Sequence, residues 1–421
     1  MKSALYVWRD QPTQHAFWRA CGIRTLQFCD THWAKRTDRL DEHYRTFAAE
    51  VDSARRAGFG VGMILFSNIA QWNGPAPDEP TGMGVLFDPR DPEARKRRLD
   101  SIGRAVRALR RCESFTLLAG DPGGAIGAPF GPRTVDDFLD FADAVRAVVR
   151  RDAPRAAFHL NPWAIAYWQY PGTSCETPDW WVHETRLTRA MLLEDRRCLE
   201  GIGVEVPGHT QYRPLALRHL RAAGIEPPDF PSAADVARLR SRGAETVWAW
   251  PYFLLDEADD GDQGPAGRAV QIETRTIHRQ IARLRPTGVD VVVGNWSNAG
   301  HKPRALNTYA FGRMVADPSA TPEGVIDEYA AAVADGAEGA RTLAQVLRWI
   351  ENDGNWQRKL PEIDRMAPLA CAFKDPADAR TRLAAVRPRS IPRFPLAESP
   401  SVVLERVMGR LLPKRREETM R

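Results

Sequence analysis

The sequence predicts an α/β fold, a (β/α)8 barrel followed by a C-terminal helical region. Three observations carry that expectation. Eight short, apolar, β-branched runs lie in the first 300 of the 421 residues. A stretch of helical period follows most of them. The runs are mostly continuous rather than alternating, as in parallel strands covered on both faces. Strand and helix in repeated alternation make a parallel barrel. The competing arrangement, a doubly wound open sheet, carries a glycine fingerprint after its first strand, and Trp8-Arg9-Asp10-Gln11-Pro12 has none.

In chain order the predicted strands are Leu5 to Trp8, Thr25 to Phe28, Val61 to Phe66 and Phe115 to Leu118, then Ala157 to Leu160, Gly203 to Val206, Thr246 to Trp250 and Val289 to Val293. The sixth is short, and Pro207 ends it. Helical period runs from Tyr44 to Ala57, Ala94 to Arg110, Val135 to Arg151, Glu184 to Leu199 and Ala269 to Leu284. Thr134 with Asp137 resembles a capping box, and Gly58 is a stop signal after Ala57. Composition changes after about residue 313, which sets the expected domains at 1–313 for the barrel and 314–421 for the helical region. There Pro322 opens a helix through Tyr329. Gly339 to Asn352 puts Leu343, Val346, Leu347 and Ile350 on one face. Segments 376–386 and 400–412 read as further helices, separated by the proline-rich stretch Arg387 to Pro395. This region caps the barrel or makes an oligomer contact, a homodimer through the C-terminal helices being one form.

Composition narrows the function classes. With 43% hydrophobic residues the chain buries a sizeable core and is not disordered in the main. No apolar run approaches the roughly 18 residues of a membrane span. Arg9 and Asp10 come too early for a signal peptide, so a soluble cytoplasmic protein with no membrane partner is expected. The net charge of +5, from 59 basic and 54 acidic residues, is small and dispersed, which argues against nucleic acid. The runs Arg95-Lys96-Arg97-Arg98 and Lys414-Arg415-Arg416 read as solvated helix faces. Six cysteines, Cys21, Cys29, Cys112, Cys175, Cys198 and Cys371, form no CxxC pair and no disulfide framework.

Barrel enzymes work at the C-terminal ends of their strands, so the residues just past each run are the informative ones. They are Arg9; Asp30 and His32; Asn68; Asp121; Asn161 and Trp163; Glu205; Trp250, Tyr252 and Asp256; and Asn295, Trp296 and Asn298. Carboxylates, amides and indoles recur there. Of the chain's 13 tryptophans, 11 precede residue 300. Flat indoles beside Asp, Asn and Glu suit the apolar faces and many hydroxyls of a carbohydrate. Gly120 to Gly124 lacks the Lys-Ser/Thr of a phosphate loop.

Glycosyl-bond chemistry needs two carboxyl groups, a general acid and a nucleophile or base. Asp121 is the expected acid, since it ends the fourth strand and Gly123 and Gly124 allow close approach. Glu205 is its expected counterpart, although within a strand period two leaves its direction open; Asp30 and Asp256 stand in reserve. The acidic stretch 256–262 reads as a solvated loop. A metal centre would draw on Asp30, His32, His159, His209 and His301. No HExxH or HxH pair is present, so no metal site and no cofactor is assigned.

Gly294-Asn295-Trp296, followed by Leu306-Asn307-Thr308-Tyr309-Ala310-Phe311-Gly312-Arg313 and Asp317-Pro318, resembles the end of the barrel and the start of the helical domain in α-glucuronidase-like and β-N-acetylhexosaminidase-like glycoside hydrolases. The resemblance implies a catalytic (β/α)8 barrel, a helical C-terminal region and hydrolysis of a glycosidic bond without a redox cofactor. It aligns Asp121 with the fourth-strand acid. Hexosaminidase-like enzymes place adjacent acids there, whereas Asp121 stands between Gly120 and Pro122. The expected activity is therefore cleavage of a small glycoside or oligosaccharide by a carboxylate pair. Two other readings accompany it: a non-catalytic carbohydrate-binding barrel, and a metal-dependent sugar isomerase or deacetylase.

Overall fold

The structure is a computed structural model, and it describes residues 1–7, 9–29, 40–67, 90–120, 133–166, 178–195, 197–208, 220–225, 231–254, 273–296, 305–333 and 336–352. Its eight strands are β1 (Lys2–Val7), β2 (Thr25–Cys29), β3 (Gly60–Phe66), β4 (Ser114–Leu118), β5 (Ala157–Asn161), β6 (Gly203–Pro207), β7 (Val247–Leu254) and β8 (Val291–Trp296). They close into a parallel barrel in sequence order. All eight expected strands are present, with ends shifted by a few residues. By its contacts the chain divides into two units. One holds residues 1–12, 24–253 and 283–295; the other holds 13–23, 254–282 and 296–421.

The helices between strands are α1 (His15–Ala20), α2 (Leu40–Arg56), α3 (Pro92–Ala108), α4 (Thr134–Asp152), α5 (Pro178–Arg189), α6 (Ala233–Ser241) and α7 (Thr274–Leu284). α2 has Asp41 and Glu42 in its first turn and Arg55 and Arg56 in its last, matching its dipole. Gly58, at φ 84°, turns the chain after it. Asp91 caps α3 by accepting from the Glu93 and Ala94 N–H groups.

Three expectations change. No capping box forms at Thr134: the helix begins at that residue, the N-cap is Arg133, and no side chain caps it. A box does form at α6, where Ser232 and Asp235 bond reciprocally. The helix expected over Glu184 to Leu199 starts earlier, at Pro178, and stops at Arg189, passing into one π turn over Ala190–Glu194. Arg98, expected on a solvated face, is buried and donates to the Phe66 carbonyl, and burial pulls its guanidinium down to about 9.

The barrel interior decides where a site can be. Neighbouring strands bring Gln27 level with Gly62, Thr116 with His159 and Glu205 with Trp248. Side chains alternate along a strand. Phe28, next to Gln27, therefore points the opposite way, and it meets Phe47 of α2 edge-on. Tyr6 of β1 and Trp250 of β7 lie on the two strands that flank β8, and their rings meet edge-on at 5.5 Å, so both face the interior.

In the second unit, helices α8 (Ala305–Ala316), α9 (Pro322–Val333) and α10 (Gly336–Asn352) follow the barrel. Leu343 and Leu347 are buried. A Cβ at Gly312 would lie 1.8 Å from the Cys21 carbonyl oxygen, so only glycine lets α8 approach the end of α1. Glu351 of α10 accepts from the Thr274 hydroxyl and the Arg275 N–H, capping α7 from a distance. Glu328 takes a hydrogen bond from Tyr309 and two from Arg313. Cys21, Cys29, Cys112 and Cys198 are free thiols. No helix of the described residues is long and apolar enough to cross a membrane.

Candidate active site

Glu205 sits at the centre of β6 with no exposed surface and points into the barrel. Its Oε1 accepts from Gln27 Nε2 at 2.6 Å and from the Thr116 hydroxyl at 2.7 Å, and faces His159 Nδ1 at 3.2 Å. Its Oε2 accepts from Asn161 Nδ2 at 3.2 Å. Gln27 also donates to Thr116 Oγ1 at 3.1 Å. Strands β2, β4 and β5 thus converge on one carboxyl group of β6. A buried carboxylate is tolerated where such donors replace water. The His159 imidazole stands edge-on to Trp248 at 4.7 Å. It lies across β6 because residue 203 is glycine: a Cβ there would be 2.3 Å from His159 Cδ2.

Above this layer, the ends of β3, β4 and β5 are stitched together. Ser67 donates its hydroxyl to the Ala119 carbonyl at 2.7 Å and its N–H to the Leu118 carbonyl at 3.0 Å. The Ala119 N–H bonds the Asn161 carbonyl, and the Gly120 N–H bonds the Trp163 carbonyl, each at 2.9 Å. Asn161 is held at both ends of its amide, since its Oδ1 accepts from the Trp163 N–H at 3.0 Å. Beyond it Ala164 takes a left-handed φ of 65°, at a cost of about 1–2 kcal/mol. Glu184 of α5, itself buried, compensates by accepting from the Ala164 and Ala166 N–H groups at 2.8 and 2.9 Å. Burial pushes its carboxyl up to about 8, against the pull of those two donors.

The sequence-derived site residues have different fates. Asn161 and Glu205 are brought together on the barrel axis. Asn295 is 1% exposed near the end of β8, and among the described residues neither its Oδ1 nor its Nδ2 has a hydrogen-bond partner. Trp163 and Trp250 are 4% and 3% exposed. Trp163 packs with Trp180 and Trp181 at 5.4 and 6.3 Å, and Trp250 with Tyr6. Neither indole offers an open face. Arg9 is held by α2: its guanidinium makes a bidentate pair with Glu50 and lies 4.8 Å from the centre of the Phe47 ring. Tyr252 and Trp296 lie within β7 and β8. Asp30, His32, Asn68, Asp121, Asp256 and Asn298 lie outside the described residues. Among the described residues no three His, Cys, Asp or Glu side chains group as metal ligands.

No protein-family model matches the chain, and no curated protein sequence does. Among solved structures, it is similar to a point mutant of the O-GlcNAc hydrolase of Thermobaculum terrenum (TM-score 0.49, 10% identity, 91% of this chain and 73% of that one). It is also similar to a family 30 subfamily 8 glycoside hydrolase xylanase of Clostridium acetobutylicum (0.43, 12%, 75% and 71%). A sugar phosphate isomerase/epimerase of Parabacteroides distasonis matches as well (0.37, 9%, 76% and 99%). At such identities the likeness extends to the fold alone.

Sequence inspection did not select Gln27, Thr116 or Glu184, and it weighed His159 only as a metal ligand. A signal for the first two and for His159 exists. Each is a polar residue in the middle of an apolar strand, and a buried polar residue is more informative than an exposed apolar one. Nothing local marks Glu184.

Proposed function

We propose that the protein is a glycoside hydrolase acting on a small glycoside or oligosaccharide through a pair of carboxyl groups. The observation that carries the proposal is the polar barrel axis. A buried carboxyl group, Glu205, is held by three strands beneath strand ends that carry amides, and among the described residues the Asn295 amide there has both a donor and an acceptor unused. A buried amide left unpaired costs about 1–3 kcal/mol, and a sugar hydroxyl, which donates and accepts, satisfies both of its atoms.

In this proposal Asp121 is the general acid, attached directly after Gly120, whose N–H is anchored on Trp163. Glu205, Asp30 or Asp256 is the second carboxyl group. Glu205 has no exposed surface, so it takes that role only where substrate displaces its bond to Asn161 and reaches the axis. The acid protonates the leaving oxygen while the second carboxyl group attacks, or activates water, on the opposite face of the sugar. Trp163 and Trp250 form the apolar wall behind the amides. Arg9, already paired with Glu50, is left out of substrate recognition. The chemistry draws on no redox cofactor.

The deciding experiment compares wild type with Asp121→Asn on a panel of aryl α- and β-glycosides, with and without chelator. Chelator-resistant turnover lost in a folded Asn variant supports the proposal. The full burial of Glu205 favours a second reading, a carbohydrate-binding barrel without chemistry. Calorimetric binding of a sugar by a chain that turns over no glycoside would establish that instead.

A further inference from the structure

We propose that Glu184 is the positioning residue for the ends of the fourth and fifth strands, its buried carboxyl group clamping residues 162–166 and, through them, the peptide ahead of Asp121. One oxygen accepts from the Ala164 N–H at 2.8 Å and the other from the Ala166 N–H at 2.9 Å. Between strand and clamp lies Trp163. Its N–H reaches Asn161 Oδ1, and its carbonyl takes the Gly120 N–H. The segment is therefore tied to α5 on one side and to the end of β4 on the other. Only the effect on turnover rests on the hydrolase proposal; the clamp itself does not.

Burial sets how the clamp responds to pH. Residues 162–166, Pro-Trp-Ala-Ile-Ala, carry no titratable side chain, and His183 and Arg186 are the nearest titratable residues along α5. The groups acting on the carboxyl are the two N–H groups and the Thr188 hydroxyl, none of them charged. Among the described residues no cation acts on it, so loss of water dominates and holds the carboxyl at about 8 instead of its ordinary 4.5. An opening that hydrates Glu184 restores the ordinary value, so the closed segment binds the proton more tightly than the open one. Opening then becomes about tenfold easier for each pH unit between the two values and levels off above the higher one. In the protonated clamp, the carbonyl oxygen accepts one N–H and the hydroxyl oxygen accepts the other.

The test is amide hydrogen exchange of residues 162–166 in the full chain, corrected for intrinsic rates, from about pH 5 to about pH 9. Protection in the wild type is expected to fall about tenfold per unit up to about pH 8 and then to level. Glu184→Gln, a neutral isostere, is expected to exchange at a rate independent of pH. Thr188→Val, which removes a hydroxyl that favours the charged carboxylate, is expected to move the plateau to higher pH. A flat wild-type profile overturns the proposal, as does an unchanged slope in Glu184→Gln. Should Glu184→Gln not fold, the wild-type profile and Thr188→Val decide. Because exchange needs no substrate, a chain inactive on every glycoside but showing this profile refutes the hydrolase proposal and supports the clamp.

Discussion

The Trp163 carbonyl accepts a hydrogen bond from the Gly120 N–H at 2.9 Å, which joins the fourth and fifth strand ends one residue before Asp121. The junction lies directly above the Glu205 layer, because Asn161 bonds both Trp163 and Glu205. Framework and proposed chemistry are thus one hydrogen-bonded structure, and the consequences of disturbing it can be measured separately.

Removing the Glu205 carboxyl group leaves Gln27, Thr116 and His159 facing a void. Glu205→Ala is expected to lower unfolding free energy by about 3–5 kcal/mol, read from urea denaturation. Glu205→Gln keeps an acceptor at one oxygen position and is expected to cost less. Equal losses in the two variants would show that volume, not hydrogen bonding, matters there.

Gly203→Ala tests the imidazole placement. The added Cβ would lie 2.3 Å from His159 Cδ2, so the ring must leave Glu205 or β6 must shift. A loss of about 1–3 kcal/mol is expected, with a shift of the His159 resonances by NMR. Wild-type stability in this variant would contradict the interior arrangement.

Stability should depend on pH through Glu184. Its folded value of about 8 lies above the ordinary 4.5, so the folded chain holds a proton that the unfolded chain releases. The contribution is full below about 4.5 and is lost as pH rises through about 8, at up to about 1.4 kcal/mol per pH unit. Denaturant melts across this range are expected to show that slope in the wild type and to lack it in Glu184→Gln.

Gly312→Ala addresses the helical unit alone. Its Cβ would meet the Cys21 carbonyl at 1.8 Å, against backbone that has no side-chain freedom to yield. The cost is expected to reach about 3 kcal/mol. At Gly224, where φ is 69° but the space is open, alanine is expected to cost about 1–2 kcal/mol from backbone strain alone.

The strands were legible because parallel strands are apolar on both faces, and runs such as Val61 to Phe66 have no other simple explanation. Glu205 was legible as a residue but not as a direction. A period of two says that neighbouring side chains point apart without saying which of them points inward. Only the convergence of Gln27, Thr116 and His159, far away in sequence, settles it. The Thr134 signal failed because a threonine near a helix start caps only when it stands outside the first turn, and here it begins the helix. Trp163 and Trp250 looked like platforms because composition counts indoles and does not see what covers them.

The bond between Gln27 and Glu205 spans 178 residues, and those from Thr116 span 89 in each direction. Until the sixth strand has been synthesised and docked, Gln27, Thr116 and His159 have no carboxyl group to meet. A nascent chain ending before residue 205 holds polar side chains in a greasy, unsealed half-barrel. Such distant pairing is slow to form and invites aggregation while it waits. Burial of the acid therefore waits for the sixth strand, a late event in synthesis, with β7 and β8 still to come before the ring closes.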